Sequence, residues 1–70
     1  MIMHEYSYQF MVQGIIDWFY NKSDWTEDMV DSIDSTLKLV LDFADDTESD
    51  LGEFDLDILV DEVYSRLRYV

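Results

Sequence analysis

The chain predicts an all-α domain in which three amphipathic helices pack as a compact three-helix unit around one small core. Three observations lead there. Proline is absent, the two glycines Gly14 and Gly52 stand far apart, and apolar residues recur at spacings of three and four through three separate segments. With 70 residues there is room for a single domain, 1–70, and no internal repeat or domain boundary is visible. Chains of this size bury only about 60% of the surface that their unfolded form exposes, so the core alone gives little stability. Cysteine is absent and cannot supply disulfides, which leaves self-association as the common supplement.

The first helix is expected from Tyr6 to Tyr20, with Tyr8, Met11, Val12, Ile15, Ile16 and Phe19 along its inner face. Tyr6, Tyr8, Phe10 and Val12 also alternate with period two, so the alternative is a short N-terminal strand or hairpin followed by helices, an α+β fold. Helix is favoured because the run from Ile15 to Tyr20 does not alternate, although Gly14 weakens it by roughly 1 kcal/mol relative to alanine.

A second helix is expected from Glu27 to Ala44. Ser23 or Thr26 can accept hydrogen bonds from its unpaired N–H groups, and Glu27 and Asp28 complement the positive end of its dipole. Its inner stripe reads Met29, Val30, Ile33, Leu37, Val40, Leu41 and Ala44. Residues 45–54 lack periodicity, carry Gly52 and read as the connection. Asp55 then caps a third helix from Leu56 to Tyr69, with Leu56, Leu59, Val60, Val63 and Leu67 inward and Arg66 and Arg68 against the negative C-terminal end. Once these faces are filled, Tyr6, Phe10, Trp18, Tyr20, Trp25, Phe43 and Tyr64 exceed what so small a core can hold. Some are expected to form an interface, most simply a homodimer through Trp18, Tyr20 and Trp25.

Seventeen carboxylates stand against four lysines and arginines, a net charge of -13, and twelve of the seventeen fall between Glu27 and Asp57. A disordered acidic tail would be poor in aromatics, whereas this chain is 16% aromatic and 49% apolar and should fold. Nucleic acid and anionic membrane surfaces would both repel it, so direct binding to either is set aside and a basic protein becomes the attractive partner. The segment Met1 to Glu5 has no basic n-region, and no run approaches the ~18 apolar residues of a membrane span. A soluble, cytoplasmic protein is expected.

The carboxylates also have a pattern. On the second helix Asp31, Asp34, Lys38, Asp42 and Asp45 follow steps of three and four and share a face, with Asp28 at its start, giving a row of about 25 Å. Asp46, Glu48, Asp50, Glu53, Asp55 and Asp57 continue it, and Asp61 and Glu62 extend it along the third helix. The candidate partner-binding set is Asp28, Asp31, Asp34, Asp42, Asp45, Asp46, Glu48, Asp50, Glu53 and Asp57. Twelve of the seventeen acids are Asp, whose short side chain holds the charge close to the backbone and suits a patterned array. A merely solvated acidic face with helix caps, or adaptation to high salt, is the plainer alternative.

Chemistry finds less support. Asp46 to Asp50, with Asp57 further on, resembles an EF-hand calcium loop, but Leu51 stands where the turn needs glycine, and Glu53 replaces an inward apolar residue. His4 is the one histidine, so neither a His-carboxylate metal cluster nor a base and its orienting partner can be assembled. Trp18, Phe19 and Tyr20, with Trp25, could stack on bases, but the surrounding charge opposes it. No catalytic residue, metal or cofactor is expected.

In size, charge and helical character the chain resembles the small acidic DNA-mimic proteins of phages and mobile elements, which block restriction enzymes, CRISPR effectors, DNA glycosylases or nucleoid proteins. That resemblance implies an inhibitor working in the cytoplasm of a host cell, with carboxylates placed where a basic nucleic-acid-binding protein expects phosphates. It carries no shared motif and transfers no residue role. Asp24-Trp25-Thr26-Glu27 is faintly similar to the acidic nuclease-immunity proteins. The rival class is an interaction module, such as an antitoxin, an immunity protein or an assembly subunit, that binds through aromatic surface first and charge second.

Overall fold

The structure, a computed structural model, describes residues 4–68, with side chains from Tyr8 onward. It is an all-α domain of three helices, α1 (His4–Asn21), α2 (Ile33–Thr47) and α3 (Leu56–Arg68), with a single 3-10 turn at Glu27–Met29. All three pairs of helices touch, α2 and α3 most extensively. The radius of gyration of 11.3 Å agrees with the ~11 Å expected of a compact domain of this length. The expectations for the His4 and Tyr6 side chains, and for Tyr69 as the last residue of α3, fall outside what is described.

Where a strand was the alternative, α1 is helical throughout. Val12, Ile15 and Phe19 are buried as the spacing requires, and Tyr8, Met11 and Ile16 pack at the edge of the core. The end of α1 is closed by its own continuation: the Trp18 carbonyl accepts from the Lys22 and Ser23 N–H groups, both at 2.9 Å. The Ser23 hydroxyl donates to the Phe19 carbonyl at 2.8 Å and accepts from Trp25 N–H at 3.1 Å. Ser23 therefore finishes the first helix and does not start the second.

The expected helix from Glu27 to Ala44 is two pieces. Met29 N–H to the Thr26 carbonyl, at 3.0 Å, closes the 3-10 turn, after which the chain leaves helical geometry at Val30 (φ -108°, ψ 71°). Ser32 then caps α2. Its hydroxyl accepts from Ser35 N–H at 3.2 Å while the Ser35 hydroxyl accepts from Ser32 N–H at 3.0 Å, a reciprocal capping box.

Restarting at Ile33 resets the helical phase, so the inner stripe is displaced from the one expected. Thr36, Leu39, Val40 and Phe43 are buried, whereas Met29, Ile33 and Leu41 are exposed and Leu37 and Ala44 are half-buried. Of the expected stripe, Val30 and Val40 alone are fully inside. Burial of Thr36 costs little, because its hydroxyl donates to the Ser32 carbonyl at 2.7 Å.

α2 runs three residues beyond the expected end, to Thr47, and is closed by Glu48, which adopts the left-handed conformation (φ 56°, ψ 39°). Glu48 N–H reaches the Asp45 carbonyl at 3.4 Å and Ser49 N–H the Ala44 carbonyl at 2.9 Å, the paired bonds of a Schellman ending. Asp55 caps α3 as expected, its carboxylate accepting from Asp57 N–H at 3.0 Å. Leu59, Val60 and Val63 are buried, with Leu56 and Leu67 packed against the core.

Aromatics tie the helices together. The Tyr8 hydroxyl accepts from Asp55 N–H at 2.6 Å, and its ring meets Phe54 edge-on at 5.0 Å, joining α1 to the start of α3. Trp18 meets Phe43 edge-on at 5.6 Å, joining α1 to α2. Such pairs contribute about 0.5–1.5 kcal/mol beyond their burial. Trp18 and Phe43, reckoned above among the surplus aromatics, are thus core residues, each 6% exposed.

Candidate partner-binding surface

All twelve carboxylates from Glu27 to Asp57 are exposed, and none of them enters the core. Their arrangement differs from one helical row. Asp28 sits in the 3-10 turn and Asp31 in the link before α2, so the continuous helical part runs from Asp34 through Asp42 and Asp45, about 17 Å. Asp46 follows Asp45 in the last turn of the same helix, Glu48, Asp50 and Glu53 lie on the connection, and Asp57 in the first turn of α3. Asp28 borders a cleft shared with Arg68, so a cation of the last turn of α3 approaches the first acid of the set.

Several of these acids have structural work that sequence spacing did not reveal. The Trp18 indole N–H donates to Asp46 and the Trp25 indole N–H to Asp42, both at 2.8 Å. Two carboxylates one helical turn apart are thereby fixed by two indoles from the α1 end of the molecule. The Tyr20 hydroxyl donates to Glu27 at 3.0 Å. That bond, with slight burial and the carboxylate's negative charge, raises the Tyr20 phenol above its ordinary 10.0. Asp31 accepts from the Ser35 hydroxyl at 3.2 Å, and Asp50 accepts from Gly52 N–H at 2.8 Å. Asp46 and Thr47 belong to α2, where the Thr47 hydroxyl donates to the Phe43 carbonyl at 2.7 Å, so the loop that resembled a calcium site begins as helix. Among the described residues no group of three His, Cys, Asp or Glu is placed to hold a metal ion.

Of the three residues expected at a self-association surface, Trp18 is inside the fold, Trp25 is half-buried against Asp42 and Tyr20 stays 52% exposed. Among the described residues the most exposed aromatic is Phe10, 77% exposed on α1.

A second feature went unread in the sequence. Ile33 and Leu37 of α2 face Ile58 of α3 across a groove of about 390 Å³, bordered by Asp57, Asp61 and Glu62. One signal was available, since Ile58 stands outside the inner stripe of α3 and had no assigned role. The other wall is hidden in the sequence because Ile33 falls on the expected inner stripe, in a helix whose expected start lies six residues before the actual one.

No helix among the described residues is long and apolar enough to cross a membrane. Comparison with known protein families, curated proteins and solved structures finds no match to this chain.

Proposed function

We propose that the protein is an inhibitor that presents carboxylates where a basic nucleic-acid-binding protein expects phosphates. The observation that carries this reading is that twelve consecutive acids are exposed on helices and hydrogen-bonded turns, with Asp42 and Asp46 held in place by indole N–H groups. Charges fixed in this way lose little freedom when a partner's Lys and Arg side chains engage them, and the acidic field accelerates encounter with a basic groove. The reading requires neither catalysis nor a cofactor. The target is a DNA- or RNA-binding component of a host cell, such as a restriction, CRISPR, repair or nucleoid protein.

Competition tests it. The immobilised protein is loaded with captured partner and eluted with duplex DNA at constant ionic strength, and DNA should release the partner. Replacing Asp28, Asp45 and Glu53 by Lys should abolish capture while helicity measured by circular dichroism is kept. These three are chosen because their carboxylates hold no hydrogen bond among the described residues, unlike Asp31 and Asp42. A partner that is acidic, or one that duplex DNA leaves bound, overturns the proposal.

A second reading rests on the apolar side chains left outside. Phe10, Tyr20, Met29, Ile33, Leu41 and Ile58 are all exposed, a surface suited to an interaction module that binds by apolar contact first. An antitoxin, an immunity protein or an assembly subunit fits this description, and homodimerisation through Phe10 and Tyr20 is its simplest form.

A further inference from the structure

The groove between α2 and α3 combines apolar walls with an acidic border. Its apolar walls are Ile33, 45% exposed, half-buried Leu37, and Ile58, 51% exposed. Leu41, 47% exposed, lies one turn beyond Leu37 on α2 and outside the groove itself. Along α3 the border is acidic, with Asp57, Asp61 and Glu62 exposed in consecutive turns.

We propose that this groove docks a cationic amphipathic helix of a partner protein. Apolar side chains of that helix, three and four residues apart, seat between Ile33, Leu37 and Ile58, and its flanking Lys or Arg residues face Asp57, Asp61 and Glu62. Charge selects the occupant. A second copy of this chain would set one acidic border against another molecule of net charge -13, which like-charge repulsion disfavours. A neutral helix would partly desolvate the three carboxylates without compensating them. A phosphate backbone is repelled by the border and finds nothing polar between Ile33 and Ile58. A helix that is apolar on one stripe and basic beside it satisfies both walls. This inference goes beyond charge mimicry, because apolar contact supplies the specificity, and it stands or falls without any competition by DNA.

The full chain, labelled with nitrogen-15, is titrated with a synthetic helical peptide of about four turns that carries Leu at i, i+4, i+7 and i+11 and Lys elsewhere. A scrambled peptide of the same composition and an oligolysine of equal charge serve as controls. The amphipathic peptide should shift the amide resonances of Ile33, Leu37 and Ile58 and bind about tenfold more tightly than either control, the scale of one buried aliphatic side chain. Ile58→Ser should lower its affinity by about tenfold, as should Ile33→Ser, which guards against a folding defect in either variant. Replacing Asp57 and Asp61 by Asn and Glu62 by Gln should weaken binding and flatten its salt dependence. Equal binding of oligolysine, resonance shifts confined to other surfaces, or full affinity in both serine variants overturns the proposal. So does a dimer of the free chain that Ile58→Ser dissociates, since the occupant is then a second copy.

Discussion

At the scale of single residues, the acidic excess is coupled to the aromatic content. Trp18, Trp25 and Tyr20 each donate to a carboxylate, so three acids that count toward the net charge also complete the hydrogen bonding of rings with one polar edge. Tyr20 gives this a pH signature. Because its phenol is raised above 10.0 in the folded protein, the stability contributed by its bond to Glu27 is complete below pH 10.0 and is lost as pH rises through the folded value. Phenolate absorbance of the wild type should therefore include one group titrating above 10.0 that is missing in Tyr20→Phe. The stability advantage of the wild type over that variant should shrink across the same range. A Tyr20 that ionises at or below its ordinary value would show that the bond to Glu27 is absent in solution.

At the scale of elements, the ends of α2 decide both what is buried and what is left for partners. Glu48 ends α2 in a conformation that costs a residue with a Cβ about 1 kcal/mol. Glu48→Gly should raise stability by about that much, or roughly 4–8 °C in Tm for a domain of this size. Glu48→Gln, which removes the same charge and keeps the strain, should gain less, and thermal unfolding of the pair separates the two effects. The start of α2 shows where sequence reading ends. α1 and α3 were legible because their apolar spacing runs unbroken, and Asp55 was a recognisable cap directly before an apolar run. The start of α2 is misread because Val30, buried just after the 3-10 turn, mimics a helical position, while the actual start is marked by Ser32 and Ser35, two small polar residues whose reciprocal bonds leave no apolar trace. The same spacing conceals the groove, because it places Ile33 on the inner face. Among the candidate acids, exposure was legible and their bonding to indoles was not, because Trp18 and Asp46 are 28 positions apart and no local pattern connects them.

At the scale of the whole molecule, a domain measuring 38 × 25 × 19 Å carries a net charge of -13. At about 0.01 M salt the Debye length is about 30 Å, so nearly every carboxylate acts on every other, whereas at about 1 M it is about 3 Å and only immediate neighbours do. Raising NaCl between those limits should increase Tm by several degrees, measured by scanning calorimetry, and an unchanged Tm would show that self-repulsion is not a significant cost. The two surfaces proposed for partners meet at Asp57 and part from there on this small body: Asp42 and Asp46 lie beside the end of α1, and Ile58 lies across the groove between α2 and α3. Both tryptophans of the chain are bonded to the first face. The protein therefore carries an optical reporter with an address. A partner that engages Asp42 and Asp46 changes the surroundings of both indoles and hence their emission, while a helix seated over Ile33 and Ile58 leaves the spectrum as it was. Unlabelled fluorescence can assign a ligand to one face or the other before any complex is solved.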